Sequence, residues 1–237
     1  MIQARGQGNL ANPKSTMTMK FYLSSYMLGD HVDRLLAMVA EPRRMIIVTN
    51  ALDAIPLEAQ LRHVRETFDP VRYFADAGFD PSLIDLRRYF GRQGELREVL
   101  LRQNVIWALG GNSFLLRRAM RASGFDEVLP ALLEEGVVYA GWSAGACVAG
   151  DSLRAVSPMD EPDVLAPGYI DAAPIWEGLG LVPFGIIPHW DSEHRQAEDA
   201  ARAVAQAEAS GTSFRALRDG DVLVCDNGQV ELLARRG

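Results

Sequence analysis

Cysteine is scarce in this chain: Cys147 and Cys225 are the only two among 237 residues. That excludes a disulfide framework and fits a reducing, cytoplasmic compartment. Histidine is scarce too, at four, and neither CxxC nor HExxH occurs. A zinc site is therefore not expected, and the sequence calls for no metal or cofactor. Basic residues fall short of acidic ones, 24 against 31, which leaves a net charge of −7. Such a balance speaks against a nucleic-acid partner, which needs a basic footprint. No apolar run approaches the roughly 18 residues of a membrane span, so no membrane partner is expected.

What the chain does have is apolar material, 48% of its residues. That is ample for the core of one domain, placed at residues 19–237. Residues 1–18 are polar, lack the apolar centre of a secretory signal and read as a flexible tail. Met17 and Met19 are candidate starts. After the tail, "KFYLSS", "RMIIVTNA", "SLIDL" (Ser82 to Leu86), "NVIWALGG" and "VVYAGW" read as strands. Between them, "DHVDRLLAMVA", "LEAQLRHVRETF", "PVRYFADAG", "ELREVLLRQ", "SFLLRRAMRASG" and "FDEVLPALLEEG" carry helical spacing, with Asp30 as an N-cap for the first. This alternation predicts an α/β fold, a mostly parallel sheet covered on both faces by helices. Residues 151–188 are rich in Pro, Asp and Gly. Beyond them come a strand in "FGIIPHW", a helix in "EDAARAVAQAEAS" and a C-terminal hairpin turning at Asn227-Gly228.

Ligand sites in parallel sheets form beyond the carboxyl ends of the strands. Ser143 sits at such an end, between Gly141 and Gly145 in a G-x-S-x-G pattern. A tight strand-to-helix turn exposes a nucleophile and demands small neighbours. The N–H of Ala144, at a helix N-terminus, is then placed to bind an oxyanion. A second strand ends in Gly110, Gly111 and Asn112. Gly111 is a candidate for the other oxyanion donor and Asn112 for substrate binding, although for Asn112 taken alone the plainer reading is a helix cap, a place Ser113 could also fill. The serine needs a base. His189 follows an apolar strand and is favoured. His194 reads as a solvated loop histidine, and His31 and His63 as helix-surface or packing residues. For the acid that orients the imidazole, Asp160, Glu161, Asp191 and Asp219 remain open. Cys147 lies one helical turn beyond Ser143 and reads as a packed thiol.

The blocks "ALGGNSFLLRR", "YAGWSAGA" and "IIPHWDSEHR" together resemble the aspartyl dipeptidase (dipeptidase E) family of serine peptidases. The resemblance runs from about Lys20 to the end, through a few short motif blocks. It implies a three-layer, flavodoxin-like α/β fold similar to class I glutamine amidotransferase domains. It further implies Ser143 as nucleophile, His189 as base, and either Asp160 in "SPMDEP" or Asp219 in "LRDG" as the acid. Arg195 falls where the family reads a substrate carboxylate. The implied activity is release of N-terminal Asp from dipeptides or short peptides; the sequence leaves monomer and homodimer both open. A cyanophycinase-like peptidase is the near alternative. An α/β-hydrolase esterase and a non-catalytic amidotransferase-like binding protein are the more distant ones.

Overall fold

The computed structural model describes residues 19–236 other than 172 and 227. The proposed tail at 1–18 and the turn residue Asn227 lie outside the described residues. Among the described residues, seven strands form the main sheet: β1 (Phe21–Ser24), β2 (Arg44–Val48), β3 (Asp80–Ile84), β4 (Val105–Ala108), β5 (Val138–Trp142), β8 (Val222–Asp226) and β9 (Gln229–Leu233). Their order is β3-β2-β4-β5-β1-β8-β9. The first five are mutually parallel, and β8 and β9 run antiparallel as a hairpin on β1. Two further strands, β6 (Gly185–Ile187) and β7 (Phe214–Ala216), pair in parallel as a separate small sheet.

Alternation along the strands divides the core into two faces. Tyr22, Met45, Ile47, Trp107, Ala140, Trp142 and Val224 point to one side. There they meet α1 (Val32–Met38) and α3 (Pro70–Asp76), whose Phe74 stacks on Trp142 at 5.8 Å. Phe21, Leu23, Ile46, Val48, Ile106 and Tyr139 point to the other. That side is covered by α4 (Gln93–Leu100), α5 (Ser113–Ser123), α6 (Phe125–Glu134), α7 (Ala144–Cys147) and α8 (Ala197–Ser210). This is a three-layer α/β arrangement. The remaining helix, α2 (Leu57–Glu66), buries none of its residues. Among the described residues, no helix is long and apolar enough to cross a membrane.

Two local expectations are corrected. Strand β3 covers Asp80–Ile84, two positions before the predicted one, because pairing with Arg44–Val48 sets its register. Residues 86–89 instead form a 3-10 turn. Asp30 does not cap α1: its carboxylate accepts the N–H of Arg236 at 2.8 Å, and His31 holds the cap position. The strand before His189 is β6, paired with β7 outside the main sheet. β7 escapes the sequence because "FRA" is too short to show alternation.

The irregular stretch 151–188 is pinned to the helical layer by buried arginines. Arg117 donates to the carbonyl of Glu177 at 2.7 Å and is held in turn by both carboxylate oxygens of Asp126. Arg118 donates to the carbonyls of Pro162, at 2.9 Å, and of Val164. Near its middle, Tyr169 donates to buried Asp53 at 2.6 Å.

Candidate active site

Ser143 stands alone between the end of β5 and the start of α7. Its backbone takes φ 50° and ψ −116°, a region L-residues avoid at a cost of about 1–3 kcal/mol. Its N–H donates to the carbonyls of Ser24 and Ser25, at 3.3 and 3.1 Å, which ties the turn to the end of β1. The flanking glycines are required by space. A Cβ on Gly141 would lie 2.8 Å from the carbonyl oxygen of Ala108, and one on Gly145 would run into that same oxygen. The serine hydroxyl is thereby presented, half-buried, at the carboxyl edge of the sheet.

His189 follows β6 by two residues and is 1% exposed, with φ at 62°. Its Nε2 lies 3.0 Å from Ser143 Oγ, and its Nδ1 lies 2.8 Å from Asp219 Oδ1. An ionised carboxylate only accepts, so Nδ1 carries the proton and Nε2 accepts from the serine hydroxyl. Asp219 sits in the loop between β7 and β8, its own N–H donating to Ser192 Oγ at 2.8 Å. Burial works to raise the Asp219 carboxyl, but hydrogen bonds from His189 and Ser25 outweigh it and hold it below the ordinary aspartate value. A serine, an imidazole and an ionised carboxylate so joined can move a proton off the hydroxyl as it attacks a carbonyl.

The other acids are engaged elsewhere. Asp191 pairs with Arg218 at 2.7 Å, and Glu161 is exposed. Asp160 Oδ2 accepts the N–H of Ser113 at 2.8 Å, at the N-terminus of α5, where burial raises its carboxyl above the ordinary value. The structure thus brings Asp219, not Asp160, onto the imidazole. Asn112 caps α5: its Oδ1 accepts the N–H of Leu115 at 2.8 Å, and its Nδ2 donates to the carbonyl of Glu161 at 2.9 Å. One end of this side chain is committed to the helix cap and the other to the loop.

Gly110 and Gly111 lie against the serine turn. A Cβ on Gly110 would come within 3.1 Å of Ser143 Cβ. Gly111 has φ 141°, and a Cβ there would meet the carbonyl oxygen of Ala51 at 2.5 Å. Among the described residues, no turn or loop carbonyl takes the N–H of Gly111 or of Ala144. Arg195 is exposed, in the loop that follows His189. Cys147 is fully packed, and burial drives its thiol upward, away from the reactive thiolate.

Two residues were not legible as site residues. Ser25 is fully buried; its hydroxyl donates to Asp219 Oδ1 and accepts the N–H of His189, each at 2.7 Å. Its position directly after β1 was the available signal. His194 is not simply solvated, because its ring lies flat on that of His189, with centroids 3.6 Å apart.

Comparison with known proteins finds relatives of the chain. The family described as Peptidase family S51 matches residues 55–233. A peptidase E from Streptomyces coelicolor is 31% identical over 167 residues, covering 68% of this chain and 63% of the relative. A peptidase E from Haemophilus influenzae is 29% identical over 145 residues, covering 59% of this chain and 62% of the relative. The chain therefore matches less than two thirds of the length of either. A crystal structure of a Listeria monocytogenes protein described as a candidate peptidase E superposes with a TM-score of 0.72 at 16% identity, over 92% of this chain and 99% of that one. A peptidase from an acI-B1 Actinobacterium gives 0.64 at 13% identity, over 94% and 96%. At such identities the two structures speak for the fold alone.

Proposed function

This chain belongs to peptidase family S51, and from that premise we propose that it is a serine exopeptidase acting on dipeptides or short peptides with N-terminal Asp. The observation that carries this reading is the unbroken line of hydrogen bonds from Ser143 through His189 to Asp219. Ser143 Oγ attacks the scissile carbonyl while His189 Nε2 takes its proton. Asp219 keeps the imidazole in the right tautomer and offsets its positive charge. The N–H groups of Gly111 and Ala144 receive the oxyanion, in a turn whose strain and small residues leave room for it. His189 then gives the proton to the leaving amine, and water, activated by the same base, releases the acyl group from Ser143. No step uses a metal or cofactor.

Recognition of the Asp side chain is assigned to Arg195, whose guanidinium is exposed in the loop beside the base. The two buried free thiols suit a cytoplasmic setting. The test is turnover of Asp-Leu, Glu-Leu, Ala-Leu and Leu-Asp by the wild type and by Ser143→Ala. Cleavage of Asp-Leu alone, lost in the variant, is the expected result. Undiminished cleavage in Ser143→Ala would overturn the mechanism. Equal cleavage of Ala-Leu would remove the role given to Arg195.

A further inference from the structure

His194 is the nearest titratable neighbour of the base outside the Ser143–His189–Asp219 line. The two imidazole planes are inclined by only 13°, with centroids 3.6 Å apart, so the contact is face to face. Tyr26, in the loop after β1, holds the pair from the side, 5.2 Å from His194 and 6.0 Å from His189. The tautomer of His194 follows from a contact with the main chain of Gln196. The N–H of Gln196 donates to His194 Nδ1 at 3.2 Å, so that nitrogen offers a lone pair and the ring is neutral.

We propose that His194 is a positioning residue for His189: a neutral imidazole that fixes the plane of the base's ring and turns its π face to the imidazolium formed during the reaction. The inference rests on the serine-peptidase reading above. Its physical content is a like-charge constraint. Two imidazolium rings at this separation repel, whereas one cation over a neutral aromatic face is attracted. The charged groups around His194 act in the same sense. Burial, the charge on His189 and the neighbouring Arg195 lower its proton affinity, against an opposing pull from Asp219. The net shift is downward, so His194 stays neutral while His189 takes up and returns its proton. A ring held flat on the base also stops it swinging out of the line between Ser143 and Asp219, which a hydrogen bond at each nitrogen alone does less well.

Two measurements test this on the full chain. In the first, ring resonances of histidine are followed by NMR against pH in wild type and in His189→Gln. The midpoint of His194 is expected to lie below that of an ordinary histidine and to move up when His189 is replaced. Equal midpoints in the two proteins overturn the proposal. In the second, labelling of Ser143 by diisopropyl fluorophosphate is timed. His194→Ala is expected to slow it about two- to tenfold, the worth of one aromatic pair, while His194→Phe, which keeps a flat ring, stays within about twofold of wild type. Wild-type rates in His194→Ala overturn the positioning role. If the wild type itself fails to label, the serine-peptidase reading falls. The positioning role falls with it, whatever the NMR midpoints show.

Discussion

Ser25 Oγ lies 2.7 Å from Asp219 Oδ1, although 194 positions separate the two residues in the chain. The same oxygen accepts the backbone N–H of His189, so one hydroxyl fixes both the acid and the main chain of the base. This contact exists because β1 lies between β5 and β8 in the sheet, which brings the end of β1 beneath the loop carrying Asp219.

Ser25→Ala leaves the buried N–H of His189 without an acceptor. The expected loss is about 1–3 kcal/mol of stability, read from urea unfolding. The variant should also lose peptidase activity, as Asp219 gives up one of the two hydrogen bonds that keep it ionised.

Asp219→Asn and Asp160→Asn separate the two acids that the sequence left open. Asp219→Asn is expected to lower kcat about ten-thousandfold, because an amide does not hold the imidazole in the required tautomer. Asp160→Asn keeps an acceptor for the N–H of Ser113 and should change kcat less than tenfold. Steady-state rates on Asp-Leu decide; the reverse order would reassign the acid.

Asp219 also gives stability a definite pH dependence. Its folded-state value lies below the ordinary one, so it stabilises the fold above about pH 4, the unfolded value. That contribution fades as pH falls through the lowered folded value. The stability difference between wild type and Asp219→Asn, from urea curves at several pH values, should therefore shrink on acidification below about pH 4. A difference that grows instead would contradict the assignment.

Gly111→Ala places a Cβ 2.5 Å from the carbonyl oxygen of Ala51 at a positive φ. Destabilisation of about 1–3 kcal/mol is expected, with loss of activity as the turn moves off Ser143. Thermal unfolding together with fluorophosphonate labelling checks both effects.

Much of this was visible in local chemistry. The apolar runs around Ile46, Ile106 and Tyr139 announced buried parallel strands, and the glycines about Ser143 announced the turn. His189 could be read from its place after an apolar strand. What could not be read depends on contacts across the chain. The choice of Asp219 over Asp160 follows from the β1–β8 pairing, and both residues sit in similar polar loops. Ser25 and His194 gain their meaning only from what faces them, since a buried serine and a loop histidine look ordinary in sequence. The small β6–β7 sheet was hidden because a three-residue strand carries no period.

The position of β1 has a consequence for the chain as it leaves the ribosome. β1, the first strand among the described residues, is clasped by β5 on one side and by β8, more than half the chain later, on the other. Until β8 has emerged, Ser143 has already been made but Asp219 has no seat beside Ser25. The line of hydrogen bonds from Ser143 through His189 to Asp219 is therefore completed by the closing of the chain's own sheet.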